Sequence, residues 1–481
     1  MKTLQSPVSQ LLSFREDVSL IQTSEENLVL TWATGSLKFK QLPKAIGAVL
    51  EILKDGSATE EQLGDIVLEN KGFAQLHDLY YYLEEFKNLG LICQTIVLDG
   101  LSLATVVSLS PGIKLQLPEL EQQTKYVTSR FVYCHRDKGQ MILESPLSTV
   151  QLIVADWQGV AIWAALMQPL NSKEVATKIN LINFSRVELF LRILLGAGMI
   201  APFPEEENKA LVQWEFHDLL FHGKTRIGRQ LNPVGKSYRF RGQSKSLPVV
   251  KPRKFEEYIS LYKPDMRELG ERDYPFSFVL EERQSLRTQG DKPITVNQLG
   301  EFLYRCVRVR DIFTKDNRQL SNRPYPTGGA CYELELYPVI HSCEGLAPGF
   351  YHYCPQEHQL GKISNQNAYV EKLLQDTQLA TGMKNYPQVL LIIAARFSRV
   401  TRVYESIAYN LILKHVGVLY QTMYLVATAM ELAPCALGAG NSHLFAAAAG
   451  TDYYAESSVG EFILGSRASQ KAKGKSQKAL A

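Results

Sequence analysis

Apolar residues recur at helical spacing in two stretches of the front half of the chain, residues 40–100 and 150–202. In the first stretch this spacing predicts a helix over 43–53, a second that starts at Thr59, and a third over 76–89. The third helix is expected to bury one face, formed by Leu76, Leu79, Tyr80, Leu83 and Phe86. The run Thr59-Glu60-Glu61-Gln62 predicts a capping box, in which two side chains satisfy free backbone amides.

The second stretch repeats this pattern. It predicts helices over 155–166, 172–179 and 185–195. Ala197-Gly198-Met199-Ile200 then matches Leu89-Gly90-Leu91-Ile92 at a constant offset, with a glycine that ends the helix and a strand that follows. Three helices followed by a strand, present twice, predict two winged helix-turn-helix-like units, over residues 1–105 and 106–204.

Charge decides between the roles that such units can have. Residues 40–100 carry five lysines, no arginine and ten acidic residues, a net charge of −5. Because DNA affinity comes largely from basic side chains on phosphates, we expect no nucleic-acid binding. Two interpretations stay open: a purely structural pair of units, or a docking site where a peptide adds to a strand edge or lies in a helix groove.

A connector is predicted over residues 205–273, after the polar run that starts at Pro202. Within it, His217 and His222 are spaced so that a helix places them on different faces, and no third ligand lies near, so we expect no metal site. The stretch 229–273 is rich in Pro, Gly, Lys and Arg and predicts an irregular, partly extended strap.

The back half predicts mixed helix and strand. An amphipathic helix is expected over 296–307, and alternation over 332–337 predicts a strand. The stretch 405–432 is apolar on most helical faces, which is typical of a central helix buried in a subunit interface. A basic, low-complexity tail follows over 468–481 and is expected to be disordered or poorly packed.

Three candidate binding elements lie in this back half. Arg283 and Arg287, with Ser285 between them, suit an anion such as a phosphate. The turn Pro326-Thr327-Gly328-Gly329 exposes backbone amides that can approach a flat ring. The small-residue loop with Gly438 and Gly440 suits contact with a cofactor, and Arg467 is a further candidate phosphate ligand.

Composition adds limits. The 481 residues are 45% hydrophobic, carry a formal charge of +3 and include seven scattered cysteines without a C-x-x-C pair. This composition predicts packed cores, buried cysteine thiols in a reducing compartment, and no global attraction to nucleic acid or anionic membrane. With no apolar signal segment at residues 1–7 and no apolar run long enough for a span, we expect a soluble, cytoplasmic protein.

From about Trp214 onward the chain resembles the SagB-type dehydrogenases of the nitroreductase-like flavoprotein superfamily, in particular the cyanobactin azoline oxidases of the ThcOx type. The resemblance is carried, in order, by Trp214 to Gly228, the Arg283-x-Ser285-x-Arg287 run, Tyr325 to Gly329, Gly349 to Tyr353, and Ala408 to Gly440. It covers more than half of the chain. The duplicated front units resemble the precursor-peptide recognition domains of enzymes that modify ribosomal peptides.

The resemblance implies an α+β fold: a C-terminal nitroreductase-like FMN domain over 274–467, with a central antiparallel-rich sheet, preceded by the two winged units. It implies a homodimer with FMN at its interface, in which Arg283, Ser285 and Arg287 contact the phosphate. Pro326, Thr327, Gly328, Gly329, Gly438 and Gly440 would lie near the ring system. The implied reaction oxidises thiazolines or oxazolines of a precursor peptide to thiazoles or oxazoles, and oxygen then reoxidises the flavin.

The proton-accepting residue stays open. Family members often carry a Lys-Tyr pair before the central helix, whereas this chain has Arg402-Val403-Tyr404. Tyr404 is the first candidate base, and Arg402 is expected to lower its pKa. Lys414 and His415 are the fallback candidates. Two other functions stay open: a flavin-fold peptide-binding scaffold without catalysis, and a general nitro or quinone reductase.

Overall fold

The computed structural model of the chain describes residues 8–23, 27–70, 73–113, 115–205, 208–243, 245–315 and 318–468. These residues form two compact units, Met1–Val234 and Gly235–Ala481. The seven N-terminal residues, where no signal segment is predicted, and the predicted basic tail beyond Ala468 lie outside the described residues. No helix of the described ranges is long and apolar enough to cross a membrane.

The first winged unit contains the three predicted helices between strands. Its elements are β1 (Val8–Phe14), β2 (Ser19–Gln22), β3 (Leu28–Trp32), β4 (Gly35–Phe39), α1 (Lys44–Asp55), α2 (Glu60–Glu69), α3 (Leu76–Asn88), β5 (Ile92–Leu98) and β6 (Leu101–Ser108), with a 3₁₀ turn at Phe73–Gln75. The predicted capping box is present: the Thr59 hydroxyl accepts from the Gln62 amide at 3.1 Å, and the Gln62 side chain accepts from the Thr59 amide at 2.9 Å.

The predicted buried face of α3 is only partly right. Leu79, Leu83 and Phe86 are buried in the unit's core. Tyr80 is 49% exposed, so its prediction as a core residue is wrong. It follows Leu79 directly, about 100° around the helix, and therefore lies at the margin of the buried stripe.

The second unit has the same helical arrangement. Its elements are β7 (Tyr126–Thr128), β8 (Tyr133–Asp137), β9 (Gln140–Glu144), β10 (Val150–Val154), α4 (Trp157–Ala165), α5 (Ser172–Lys178), α6 (Phe184–Gly196) and β11 (Ile200–Pro202). The two glycines of the repeat end their helices identically, with left-handed backbone at Gly90 (φ 70°) and Gly198 (φ 65°). In each repeat the amide of the residue after the glycine closes the helix cap. The Leu91 amide donates to the Phe86 carbonyl at 2.8 Å, and the Met199 amide donates to the Leu194 carbonyl at 2.9 Å.

One sheet joins the two repeats, in the order β1-β5-β6-β10-β9-β8. The predicted boundary between residues 105 and 106 falls inside β6, because β6 pairs with β5 of its own repeat and with β10 of the next. The first compact unit, Met1–Val234, contains both repeats and also includes a 3₁₀ turn at Leu211–Gln213 and α7 (Phe216–Lys224). The predicted connector over 205–273 is thus divided between the two units, at Val234.

The second compact unit consists of the strap, a large antiparallel sheet and its helices. Its elements are β12 (Gly235–Lys236), β13 (Tyr258–Ser260), α8 (Met266–Arg272), α9 (Phe276–Glu282), α10 (Val296–Val307), β14 (Asp311–Lys315), β15 (Arg318–Asn322), a 3₁₀ turn (Gly328–Ala330), β16 (Leu334–Ile340), β17 (Gly349–Cys354), β18 (Gln359–Asn365), α11 (Ala368–Thr381), β19 (Val389–Arg396), α12 (Ser398–Thr401), β20 (Tyr404–Glu405), α13 (Ala408–Ala429), β21 (Leu432–Leu437), α14 (Ser442–Ala449) and β22 (Glu456–Ser466). The sheet order is β13-β18-β17-β16-β19-β22-β21, with antiparallel pairing throughout. The predicted α+β fold with an antiparallel sheet is confirmed.

Helices cover both faces of this sheet. On β16, Leu336 belongs to the core under α10 and α13, and the next residue, Tyr337, belongs to the core under α11 and α14. Successive side chains of this strand therefore point into two different buried cores, and neither face of the strand is exposed to solvent. Glu335 is buried between His352, at 3.1 Å, and Arg396, at 3.1 Å. Burial raises its pKa, but these two partners outweigh burial and hold the pKa at about 2.

The central helix α13 is shorter than predicted at both ends. Tyr404 and Glu405 pair with the strap as β20, and Ser406 has a left-handed φ of 57°. Ile412, Leu419 and Met423 are buried, whereas Tyr409 and Leu413 are exposed within the chain. The helix predicted over 296–307 matches α10 in both bounds.

The predicted burial of cysteines is confirmed for Cys93, Cys306, Cys331, Cys343 and Cys435. It is wrong for Cys134, which is exposed on β8, and Cys354 is half-buried. Burial raises the pKa of Cys331 to about 11, as expected for an inert thiol. Within the described ranges, no group of three or more His, Cys, Asp or Glu side chains is placed to hold a metal ion.

Candidate functional site

Arg283 and Ser285 come together on one tyrosine of the central helix. Helix α9 ends at Glu282, and the chain then runs extended along β21, where the Leu286 amide donates to the Pro434 carbonyl at 2.8 Å. This path places the Ser285 hydroxyl 2.7 Å from the Tyr424 hydroxyl and the Arg283 guanidinium 5.4 Å from the Tyr424 ring centre. A cation and a hydroxyl at one place are suited to a phosphate.

The other two predicted phosphate ligands lie on the neighbouring stretch of chain. Arg287 lines a cavity of about 1070 Å³, together with Gly290, His341 and Gln388. Arg467 forms an isolated antiparallel bridge with Gln289 at the end of β22. Gly465, two residues earlier, packs so closely that a Cβ there would overlap the Gln289 side chain. The sequence did not point to Tyr424 or Gln289, because both act through contacts distant along the chain.

The glycine turn lies against Tyr404. Thr327 fixes its start, since its hydroxyl accepts from the Tyr332 amide at 3.2 Å, and Gly329 has a left-handed φ of 61°. A Cβ on Gly329 would lie 2.9 Å from the Tyr404 hydroxyl, and one on Gly328 would lie 3.5 Å from it. Pro326 is the first residue of this turn and directly precedes Thr327. The turn therefore needs glycine both for its conformation and for the approach of the phenol.

Tyr404 is nearly buried, at 9% exposure, and its pKa is raised. Burial is the main cause, and the positive charge of Arg318 opposes it. The pKa is therefore raised and not lowered as predicted, and Arg318 is an arginine whose charge opposes the effect of burial. From the other side, Lys236 of the strap pairs with Tyr404 across β12 and β20, and its ammonium lies 6.0 Å from the ring centre.

Of the two fallback bases, His415 is buried and Lys414 is exposed on α13. The His415 ring bonds both the glycine turn and a buried carboxylate. Its Nε2 lies 2.7 Å from the Gly328 amide and its Nδ1 2.7 Å from Oε1 of Glu333. The sequence analysis did not single out Glu333, which belongs to a run interpreted only as a strand.

Gly440 lies in a third place. It lines a cavity of about 400 Å³ with Asp376, Asn441 and Glu461, and a Cβ on it would overlap the Glu461 carboxyl group. Burial raises the pKa of Glu461. Gly438, two residues earlier, has open space around its Cβ position within the described residues.

The central helix separates the first two groups. His415, which contacts the glycine turn, and Tyr424, which contacts Ser285, are nine residues apart on α13. At 100° and 1.5 Å per residue, they point to opposite faces and lie about 13 Å apart along the axis. Arg283 and Ser285 do not line the cavity that Gly440 lines, and neither does Gly328. The predicted residues thus form separate groups within one chain.

The domain is thus an α+β domain with an antiparallel sheet, and its central helix contacts both the glycine turn and the arginine-serine run. Three family models match the chain: residues 7–117 match the ThcOx helix turn helix domain, residues 126–231 the cyanobactin oxidase ThcOx, and residues 280–465 the nitroreductase family. The chain therefore belongs to the nitroreductase family, with the two domain types of ThcOx cyanobactin oxidases ahead of the nitroreductase domain.

One relative in sequence agrees with this assignment, and two solved structures are similar to parts of the chain. A protein of Methanocaldococcus jannaschii named as a nitroreductase is 30% identical over 176 residues, which cover 37% of this chain and 82% of that protein. Among solved structures, one described as a nitroreductase from Ralstonia eutropha has 18% identity and a TM-score of 0.36, and the match covers 47% of this chain and 97% of that one. The E. coli microcin synthetase McbBCD complex with truncated pro-MccB17 bound has 20% identity and a TM-score of 0.33, with 39% and 71% covered. The family assignment rests on the sequence matches.

Proposed function

We propose that the chain is an FMN-dependent oxidase that converts thiazolines or oxazolines of a ribosomal precursor peptide into thiazoles or oxazoles. The observation that carries the proposal is the Tyr404 hydroxyl, which stands against the Gly328-Gly329 turn of a nitroreductase-family domain. The match of residues 126–231 to the cyanobactin oxidase ThcOx supports a peptide azoline as substrate. The oxidase domain in this proposal spans residues 274–467.

The residues present fit FMN. Its phosphate is a dianion, and Arg283, Ser285, Arg287 and Arg467 supply cations and a hydroxyl along one stretch of chain and the adjoining strand end. The backbone of the turn Pro326-Thr327-Gly328-Gly329, which lies against the Tyr404 hydroxyl, is proposed to approach the flat ring. Gly438 and Gly440 follow β21 and are proposed to lie on the same ring system. When bound, FMN supplies the acceptor for two electrons.

The site is proposed to form between two copies of the chain. Because His415 and Tyr424 point to opposite faces of α13, one copy does not place its own glycine turn beside its own Arg283 and Ser285. In a two-fold dimer the turn of one subunit faces the arginine-serine run of the other. The exposed Leu413 on α13 and Phe276 on α9 provide apolar surface for such an interface.

Tyr404 is proposed to take the proton that leaves the azoline ring as the hydride is transferred. To do so, its Oη must first lose its own proton, which burial opposes. A nearby cation favours the phenolate. Lys236 is therefore proposed as the residue that supports Tyr404, in place of the lysine that family members often carry where this chain has Val403. Arg402, two residues before Tyr404, stays a candidate for the same support.

The front unit is proposed to hold the precursor peptide. The three strands β2-β3-β4 form a separate sheet in which β4 (Gly35–Phe39) is an edge. A peptide can add to such an edge through backbone hydrogen bonds. The net charge of −5 over residues 40–100 supports a protein or peptide ligand over a nucleic acid.

The experiment is mass spectrometry of an azoline-containing peptide after incubation with the FMN-loaded protein and oxygen. The proposal predicts the loss of two hydrogens per ring. A yellow protein that leaves the peptide mass unchanged would contradict it. The relative named as a nitroreductase favours one second candidate, a nitro or quinone reductase. Oxidation of a nicotinamide cofactor with a nitroaromatic acceptor, without change in the peptide, would support that candidate.

A further inference from the structure

A buried pair, Glu333 and His415, holds the amide of Gly328. His415 lies on the core side of α13, and its side chain and that of Glu333 are 6% and 0% exposed. The Gly328 N–H points at Nε2 of the ring at 2.7 Å, and Oε1 of Glu333 lies 2.7 Å from Nδ1. Gly328 lies in the glycine turn, Glu333 lies directly before β16, and His415 lies on α13. In the chain, His415 is 87 positions from Gly328 and 82 from Glu333.

Hydrogen-bond chemistry fixes the state of this ring. A backbone N–H can only donate, so Nε2 must present its lone pair to Gly328. The ring proton of neutral His415 is then on Nδ1 and is donated to the Glu333 carboxylate. Both ring nitrogens are occupied by these bonds. His415, a fallback base in the sequence analysis, is therefore placed to position the turn and not to take a proton from a substrate.

The buried position of the Glu333 carboxylate is unfavourable for the free energy of folding. Its second oxygen, Oε2, is buried and has no hydrogen-bond partner within the described residues. A buried carboxylate that is only half satisfied destabilises the fold. Its other oxygen orients the His415 ring and fixes its tautomer, as second partners of functional histidines commonly do.

The turn needs such an anchor because its backbone is strained. Gly329, Ala330 and Tyr332 all have left-handed φ values, of 61°, 50° and 42°. Only glycine adopts this region at no cost, so Ala330 and Tyr332 must be held in place by their surroundings. The Thr327 hydroxyl holds one end of the turn through the Tyr332 amide, and the ring of His415 holds the other through Gly328.

The geometry points to Glu333 and His415 as a positioning pair that fixes the Gly328-Gly329 backbone for the cofactor. This inference rests on the proposed function, in which that backbone contacts FMN. Loss of the pair frees the Gly328 amide and loosens the turn. The expected consequence is weaker FMN binding, by about fivefold, the factor that corresponds to one net hydrogen bond.

The test compares His415→Leu, which removes the acceptor, with His415→Gln, whose side-chain carbonyl restores it. The full-length protein is freed of flavin, and FMN is titrated in and followed by its fluorescence. Amide exchange over residues 326–332 is measured in parallel by mass spectrometry, without FMN. The matched control is His352→Gln, which alters a comparably buried pair with Glu335 between β17 and β16 and leaves the contact of His415 with Gly328 in place.

We expect His415→Leu to speed exchange of the turn and weaken FMN binding about fivefold, and His415→Gln to restore both. His352→Gln is expected to lower the melting temperature and leave both readouts unchanged. Unchanged exchange in a folded His415→Leu protein would overturn the inference, and so would faster exchange with full FMN affinity. If wild-type protein does not bind FMN, the proposed function fails, and the exchange data alone decide whether His415 anchors the turn.

Discussion

The hydroxyl groups of Ser285 and Tyr424 lie 2.7 Å apart, and the Tyr424 hydroxyl also accepts from the Ala436 amide at 2.8 Å. This relationship links the arginine-serine run to the central helix and to β21. The Arg283 guanidinium lies over the ring of the same tyrosine, so Ser285 and Arg283 both contact Tyr424.

Replacement of Ser285 by alanine is expected to weaken FMN binding about fivefold, because one hydrogen bond contributes about 1 kcal/mol. Tyr424→Phe should weaken it similarly, since Ser285 then loses its partner. The measurement is an FMN titration. Thr422→Val on the same helix, whose hydroxyl donates to the Val418 carbonyl of that helix, is the control and should bind FMN normally. Unchanged affinity in Ser285→Ala would remove this serine from the site.

Gly329→Ala is expected to reduce both stability and activity. At φ 61° an alanine costs about 1 kcal/mol in free energy of unfolding, and its Cβ would displace the Tyr404 hydroxyl. Gly450→Ala has the same strain, at φ 62°, with open space around the Cβ position. It should lose similar stability but retain turnover. Equal activity losses in the two variants would show that only backbone strain matters.

Tyr404→Phe should retain bound flavin and lose roughly tenfold or more in turnover, because a proton-transfer group is gone. If the phenolate is the active form, Lys236→Met raises the pKa of Tyr404 further and moves the rising limb of the rate profile to higher pH. Lys254→Met, on the same strap, is the control and should leave the profile in place. A pH profile that Lys236→Met does not move would dismiss Lys236 from the mechanism.

Acid should weaken the fold through Glu335. Its pKa is about 2 in the folded protein, below the ordinary 4.5, so the stabilisation is present above pH 4.5 and is lost as the pH falls toward 2. The shift corresponds to about 3 kcal/mol. Urea unfolding across this range measures the effect. Glu335→Gln should flatten that dependence, and a variant with the wild-type slope would show that other carboxylates cause it.

Periodicity alone predicted much of the fold. The spacing of Leu299, Phe302 and Leu303 defined α10 in both bounds, and the two glycines Gly90 and Gly198 marked the repeat. Local patterns report which face of an element is buried. They do not report strand order, and so the continuous sheet across the two repeats was missed. The alternation around Glu335 predicted the strand but gave no sign of the ion pairs that allow this carboxylate to be buried.

The candidate site was predictable only as separate segments. The glycine turn and Tyr404 were each recognised, but their contact joins residues about 75 positions apart. Lys236, Glu333 and Tyr424 carry no local signal: one lies in an irregular strap, one in an ordinary strand pattern and one in an apolar helix. Their roles follow from pairing and packing, which local sequence does not encode.

The proposed FMN site uses residues of two subunits. It is tested by mixing Arg283→Gln and Gly329→Ala chains in equal amounts, by co-expression, and measuring bound FMN per chain. Each variant alone should bind little FMN. With random pairing, about half of the dimers are mixed. If the site is shared, each mixed dimer has one intact site and one site with both substitutions. We therefore expect about one quarter of the wild-type FMN content per chain. FMN content no higher than the average of the two single variants would contradict it.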